Sequence, residues 1–328
     1  MIRSLAAVLM LGLAAGPAHG QQSTSSAQRT SEAVPRSKVE FPARPELLRQ
    51  IALYEAAAQR ADTEHWTDES LVKIYSHLGG LYEDAAMYLK SEAAMRRAIA
   101  LLRTGQQNEL AAEIGHLAVL HIAIGELREA ENEQLEALRV RESVREPLGI
   151  AQTWNDLADV YIKQRHYKKA MDYARRAMEV LGDDPKVDVA ERILVRQTLA
   201  YALCGERHCA PAIPLLKDAI ELAKSSFGAD SLEIGVGDYL LGYACWQSGD
   251  LVDAAEWMER GTARMRVDMG WGHPVYVNAM SQYARFLRER GQVEAAVTAE
   301  REVRQAEAVV DVRSFTGRTG ELGAAAPR

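Results

Sequence analysis

The chain has 328 residues, a formal net charge of −7 at pH 7 and 48% hydrophobic residues. This length is enough for a sizeable core, and the acidic balance disfavours nucleic acid and acidic lipid surfaces as partners, because both need clustered Lys and Arg on one face. Alanine, leucine and charged residues dominate, and aromatic residues make up only 6%, which is typical of an all-α protein.

Residues 1–20 have the features of a cleavable signal peptide. Arg3 supplies a basic start, residues 5–16 form a short apolar core, and Ala18-His19-Gly20 is a small-x-small cleavage site. The segment is too short for a stable membrane span, although an uncleaved anchor is the alternative. We expect cleavage after Gly20, a periplasmic or secreted mature chain, and no membrane insertion after cleavage.

Residues 21–44 are rich in Ser, Gln and Thr and contain two prolines, so we expect a disordered linker. The segment "PELLRQIALYEAAAQRA" follows, and its period of 3.6 residues predicts a helix. We expect this helix to cap the open end of the structure that comes after it. Its apolar stripe consists of Leu47, Ile51, Tyr54 and Ala58.

Residues 154–178 predict a helical hairpin. Two apolar stripes are separated by a short polar turn at residues 163–165, and bulky residues alternate with small ones, which allows two helices to approach closely. The first stripe consists of Trp154, Leu157, Ala158 and Tyr161. The second consists of Tyr167, Ala170, Ala174 and Ala177.

The same pattern recurs six times at intervals of 39 to 42 residues. A bulky residue followed by a small one opens each copy: Leu78-Gly79, Leu117-Ala118, Leu157-Ala158, Leu199-Ala200, Leu241-Gly242 and Tyr283-Ala284. Twelve residues later comes a second small residue: Ser91, Ala130, Ala170, Ala212, Ala254 and Ala296. Seven further on lies a third packing position: Ala98, Ala137, Ala177, Ala219, Gly261 and Val303.

The unit at 154–178 resembles the tetratricopeptide repeat (TPR), through Trp154, Leu157, Ala158, Tyr161 and Ala170. Its units are longer than the basic repeat and resemble those of kinesin light chains and their bacterial relatives. The resemblance implies an αα-hairpin solenoid, a right-handed superhelix of about six repeats at residues 45–312. We expect units to start near residues 72, 111, 151, 193, 235 and 277, and a disordered tail at 313–328.

The resemblance also implies a function, since TPRs are protein-interaction modules whose first helices line a concave wall. We therefore expect a protein or peptide to bind in this groove, whose aromatic centre lies beside amides and basic groups. The alternative is that the aromatic stripe is core. The candidate groove residues are Asn155, Asp159, Lys163, Gln197, Tyr201, Tyr239, Tyr243, Trp246 and Arg285.

Two rival functions stay open at this point. Tyr239, Tyr243 and Trp246 could instead form a flat platform for a glycan or another small ligand, or the array could be purely structural and self-associate as a homo-oligomer. Catalytic activity is not expected, since no nucleophile elbow, Walker A sequence or glycine fingerprint occurs. The histidines lack metal-ligand spacing, so we expect neither a metal nor any other cofactor.

The three cysteines allow more than one arrangement. Cys204 and Cys209 lie on opposite sides of one predicted turn, so in an oxidising compartment they are candidates for a structural disulfide. A Cys209–Cys245 bridge and three free thiols are the alternatives, because a C-x4-C pair is near the upper limit of disulfide span.

Overall fold

The computed structural model describes residues 44–85, 87–102 and 106–322, which form thirteen α-helices and no strand. The predicted signal peptide and nearly all of the predicted linker lie outside the described residues. The helices are α1 (Arg44–Thr63), α2 (Asp68–Asp84), α3 (Tyr88–Leu102), α4 (Gln107–Ile124), α5 (Leu127–Val144), α6 (Pro147–Lys163), α7 (Tyr167–Leu181), α8 (Val189–Gly205), α9 (Ala212–Phe227), α10 (Leu232–Ser248), α11 (Leu251–Met269), α12 (Pro274–Glu289) and α13 (Val293–Leu322).

Local sequence signals fix several helix ends. Pro147 and Pro274 stand in the first turns of α6 and α12, where a missing backbone N–H breaks no helical hydrogen bond. Thr67 caps α2 by accepting a hydrogen bond from the backbone N–H of Ser70. Gly249 ends α10 with a φ of 89°, a left-handed conformation that is cheap only for glycine.

The helices pack as six consecutive hairpins, from α2–α3 to α12–α13, and each hairpin contacts the next. The fold is therefore the αα-hairpin solenoid that the sequence predicts. In addition, the first helices α4, α6, α8 and α10 contact each other directly, each with the next in this order.

Small residues hold the two helices of each hairpin together. The small residue of each opening pair and the residues twelve and nineteen positions later are buried in all six units. The closest approach is in the fifth hairpin, where a Cβ on Gly242 would lie 2.6 Å from the backbone nitrogen of Met258. A Cβ on Gly261 would overlap the backbone of Tyr239. Only glycine fits at these two crossings without a shift of the helices.

Helix α1 covers the first hairpin, as predicted for a capping helix. Ile51 and Ala58 are buried in one cluster with residues of α2. The ring of Tyr54 stacks on His77 with centroids 4.9 Å apart, and Tyr82 donates a hydrogen bond of 2.7 Å to Glu55. The exposed end of the stack is thus closed by apolar and polar contacts.

The last helix is longer than the sequence pattern predicts. Helix α13 continues to Leu322, and the disordered tail expected at residues 313–328 stays a prediction. No proline interrupts this stretch, and its glycines weaken a helix without ending it. Residues 323–328 lie outside the described residues. Among the described helices, none combines the length and the apolar character that a bilayer crossing would need.

Candidate functional site

The candidate groove residues lie on the first helices of consecutive units. Asn155, Gln197 and Tyr239 are spaced by 42 residues and occupy the same position in α6, α8 and α10. Asp159, Tyr201 and Tyr243 repeat this spacing one helical turn later. We call these six residues the polar–aromatic row. Because α6, α8 and α10 contact each other, the row runs through their shared interface.

The aromatic half of the row is packed. Tyr201 and Tyr243 stack with ring centroids 5.9 Å apart, and Tyr243 meets Trp246 edge to face at 6.0 Å. Trp246 contacts Phe286 at 5.5 Å, and its Nε1 donates a hydrogen bond of 3.0 Å to Glu289. These rings therefore belong to the main apolar cluster of the molecule.

The burial of these rings bears on both the groove and the sugar platform. Tyr201, Tyr239 and Trp246 are 4%, 5% and 7% exposed. The rings of Tyr201 and Trp246 contact Tyr243, and Trp246 also contacts Phe286 of α12. The glycan platform of Tyr239, Tyr243 and Trp246 stays a prediction, and the burial of Tyr239 and Trp246 favours the core alternative.

The polar half of the row has buried atoms without hydrogen-bond partners. Asp159 is 1% exposed, and neither of its carboxylate oxygens has a partner among the described residues. The same holds for other atoms on α6, α8 and α10: Asn155 Oδ1, Gln197 Nε2, Thr198 Oγ1 and the Tyr239 hydroxyl. Each such group costs about 1–3 kcal/mol of folding stability.

A second buried aspartate shows that this is not a general property of the fold. Asp238, on α10, is also 1% exposed, but its two oxygens accept hydrogen bonds of 2.6 and 2.7 Å from Arg260. Asp159 has no such guanidinium. Of the ten buried side-chain atoms without a partner among the described residues, five belong to the polar–aromatic row, and the others lie on Ser76, Gln134, Arg141, Thr198 and Ser231.

Burial shifts the ionisation of the groups around Asp159. It raises the pKa of Asp159 to about 7 and that of Asp156, on the same helix, to about 6. It also lowers the pKa of Lys163 to about 8, against the attraction of the Asp159 carboxylate. Protonation changes at this site therefore fall near neutral pH.

The less buried candidates are Tyr243 of the row and two residues beside the row. Lys163 and Tyr243 are half-buried, and Arg285 is exposed with its guanidinium 5.3 Å from the centroid of the Trp246 ring. The structure thus brings the aromatic candidates together with Arg285 at one end, and Asp159 with Lys163 at the other. Asn155 and Gln197 are buried at 3% and 1% exposure.

Sequence reasoning missed four residues of this region. Thr198 and Asp156 are direct neighbours of predicted residues along the chain, so an inspection of both flanks of each position would have found them. Phe286 and Glu289 lie on α12 and carry no signal for their contacts with Trp246. Among the described residues, no group of His, Cys, Asp and Glu side chains is arranged to hold a metal ion.

All three cysteines are buried free thiols in this structure. The thiol of Cys204 donates a hydrogen bond to the sulfur of Cys209, which raises the pKa of Cys204 and lowers that of Cys209. Burial raises the pKa of Cys245 to about 11. The Cys204–Cys209 disulfide stays a prediction.

Comparisons with known proteins agree with this architecture. Residues 108–182 match the family model described as tetratricopeptide repeat. A curated relative, human "Protein O-mannosyl-transferase TMTC1", is 27% identical over 140 residues. This match covers 41% of the chain and only 15% of the relative, so the chain spans a small part of that protein's length.

Solved structures show the same fold at low identity. The apo form of RapI aligns with a TM-score of 0.67 and 17% identity, covering 82% of this chain and 94% of that one. The Rap conjugation gene regulator of plasmid pLS20, in complex with the Phr* peptide, aligns with a TM-score of 0.64 and 15% identity, covering 82% of this chain and 71% of that one. BtubC (BKLC) from P. vanneervenii aligns with a TM-score of 0.58 and 18% identity, covering 68% of this chain and 92% of that one. Residues 108–182 therefore match the tetratricopeptide repeat, and the described helices have the fold of these solved structures.

Proposed function

We propose that this protein is a non-catalytic scaffold that acts after export and binds an extended segment of another protein along the polar–aromatic row. The observation that carries the proposal is the set of buried polar atoms without partners on α6, α8 and α10. Such groups are rare in native proteins, and each calls for a bound molecule, a water or a functional reason.

The chemistry of the row suits a peptide backbone. The side-chain amides of Asn155 and Gln197 each carry both donors and acceptors, so they can pair with backbone N–H and C=O groups of a segment laid across them. When it is ionised, the Asp159 carboxylate is an acceptor without a donor, so it favours an N–H or a cationic group. The tyrosine rings add apolar contact with a polar tip.

Binding in this row requires that neighbouring first helices separate. The row is covered in the closed array, while Lys163, Tyr243 and Arg285 reach its edges. In a repeat array each unit contacts only its neighbours, so small rotations between units change the width of the inner wall without unfolding a hairpin. A ligand that satisfies the buried polar atoms would stabilise the opened form.

The fold neighbours support this proposal by analogy. The pLS20 Rap regulator was solved in complex with the Phr* peptide, and another Rap protein was solved in complex with Competence and Sporulation Factor. These ligands belong to those two proteins, whose identity to this chain is 15% and 16%. Function in a shared fold has to be argued from the site, which here is the row.

A peptide-display selection tests the proposal. Random linear peptides are selected on the purified chain and then measured against three variants: Asn155→Leu, Gln197→Leu and Gln59→Leu. Gln59 is an exposed amide on α1 and serves as the matched control. We expect enriched peptides that bind the parent chain and the Gln59 variant, and that lose at least tenfold affinity for the other two, since a lost buried hydrogen bond is worth about 1–3 kcal/mol.

Two results would contradict the proposal. One is the absence of any enriched peptide, and the other is enriched peptides that bind all three variants equally, which would place recognition elsewhere. Circular dichroism of each variant separates a loss of binding from a loss of fold. Self-association of the chain, measured by sedimentation, would favour the purely structural alternative if it hides the row.

The proposal of export has its own test. The chain is expressed with its first 20 residues in a bacterial host, and the N-terminus of the product is determined by mass spectrometry. We expect a mature chain that begins at Gln21 and is recovered outside the cytoplasm. An intact Met1 in a membrane fraction would instead indicate an uncleaved anchor.

A further inference from the structure

A cavity of about 410 Å³ is lined by residues of the third, fourth and fifth hairpins. Its wall includes Arg175 from α7, the turn after α8 with Arg207, His208 and Cys209, and the end of α10 at Gln247. It is separate from the polar–aromatic row, because none of the six row residues lines it.

The lining of this cavity is cationic and has no acid. Arg175, Arg207 and His208 are exposed, and no carboxylate is among the lining residues. Within the described residues, neither guanidinium has an ion pair or a side-chain hydrogen bond, whereas Arg196, Arg260 and Arg288 each pair with a carboxylate. Two guanidiniums without an acidic partner therefore line one cavity.

The backbone of the turn supplies an independent observation. The first-to-second-helix turns of five units place one residue at a positive φ: Gly125, Arg165, Arg207, Gly249 and Gly291. Three of these turns use glycine, which takes this conformation freely. Arg165 and Arg207 take it with φ of 63° and 64°, where a side chain costs about 1 kcal/mol. Of these two arginines, only Arg207 lines the cavity.

We infer that this cavity binds the oxyanion group of a ligand, a phosphate, sulfate or carboxylate, between Arg175 and Arg207. The planar guanidinium presents paired N–H donors that match two oxygens of such a group. Gln247 and His208 add further N–H donors at the wall. The anion comes either from a free small ligand or from the acidic side chain or terminal carboxylate of a partner peptide.

Cys209 provides a chemical reporter for occupancy. Its thiol lines the cavity, and the hydrogen bond from Cys204 favours its thiolate form. A bound oxyanion repels a neighbouring thiolate and covers it. Cys209 and Cys245 are each 4% exposed, so iodoacetamide reaches them slowly in the folded chain. Filling of the cavity slows the alkylation of Cys209 further, while the alkylation of Cys245, which does not line the cavity, keeps its rate.

The test uses the full chain and four proteins: the parent, Arg207→Gly, Arg175→Gln and Arg145→Gly. Arg145 also has a positive φ, 55°, and lies at the end of α5 outside the cavity, so its glycine variant is the matched control. Thermal unfolding is recorded in sodium phosphate, sodium sulfate and sodium chloride at equal ionic strength. In parallel, a peptide with an acidic C-terminal residue is compared with its amidated form.

We expect phosphate or sulfate to raise the unfolding temperature of the parent and of Arg145→Gly along a saturating curve, and to slow alkylation of Cys209. The Arg207→Gly and Arg175→Gln variants should lose both effects. In chloride, Arg207→Gly should unfold at the same temperature as the parent or higher, because glycine relieves the turn. A response to the acidic peptide alone, with a weaker response to its amide, would support the site and assign the anion to a partner chain.

Two outcomes overturn the inference. The first is a parent chain that responds to none of the oxyanions beyond the effect of chloride. The second is an equal response in Arg207→Gly, which would mean that the salts act on the whole surface. Both are independent of the peptide selection on the polar–aromatic row, so failure of one proposal leaves the other unaffected.

Discussion

Replacement of Asp159 by asparagine should stabilise the protein, and the gain should depend on pH. Burial raises the pKa of this carboxyl from 3.8 to about 7. The folded chain therefore holds a proton that the unfolded chain releases between these two pH values. Stability is lost as the pH rises through this window, and the full loss is reached above about pH 7.

The magnitude follows from the shift of the pKa. Each unit is worth about 1.4 kcal/mol, so a shift of about three units costs the folded state about 4 kcal/mol at alkaline pH. Asparagine keeps the shape of the side chain and removes the charge. We expect no gain near pH 4 and a gain of up to about 4 kcal/mol near pH 8, or roughly 10 °C in the unfolding temperature.

The assay is thermal unfolding by far-UV circular dichroism across this pH range, with Asp218→Asn as the control at an exposed position. Differences that do not vary with pH, or a loss of stability at pH 8, would refute the reasoning, because either would mean that Asp159 has a partner when ionised. A gain in stability together with weaker peptide binding would show that the buried charge serves recognition at the expense of the fold.

Three further outcomes follow from single contacts. His121 is 1% exposed and forms a hydrogen bond of 2.6 Å with Glu133, which raises the pKa of the imidazole. The parent should therefore be more stable than His121→Gln, fully so below about pH 6.5, and this advantage should shrink as the pH rises through the raised pKa. Urea titrations at several pH values would measure it. Gly261→Ala should destabilise the chain by more than about 1 kcal/mol, since the new Cβ overlaps the backbone of Tyr239. Gly115→Ala should instead stabilise it by up to about 1 kcal/mol, since its Cβ meets nothing closer than 3.9 Å. Equal denaturation midpoints of the two variants would contradict this. Leu157→Asp should lower the free energy of unfolding by several kcal/mol, because it buries an unpaired carboxylate at a position of 0% exposure. Unchanged helical content and a single unfolding transition at the midpoint of the parent would contradict this.

The fold could be predicted from the sequence because the packing of two crossing helices imposes residue size at fixed positions. Ala158, Ala170 and Ala177 are all fully buried, as their spacing predicts. The same spacing in five other units locates every hairpin without any knowledge of long-range contacts. The capping helix α1 followed equally from its single apolar stripe.

The state of the candidate site could not be predicted in this way. Burial of Tyr239 and Trp246 depends on how tightly successive units coil, and this is a sum of small packing differences over several hairpins rather than a local pattern. The partner of Trp246, Glu289, lies 43 residues away on another unit. Likewise, nothing near Asp159 or Asp238 in the sequence reveals that only the second has an arginine, Arg260, in reach.

The glycine contacts of the fifth hairpin have a mechanical consequence. At Gly242 and Gly261 the backbones of α10 and α11 approach each other closely, so we expect these two helices to move as one rigid unit. Any change in the width of the inner wall must then occur at the interfaces between hairpins. The neighbouring hairpins rotate relative to the fifth, and the tyrosine and tryptophan rings of the fifth hairpin move with it as a unit.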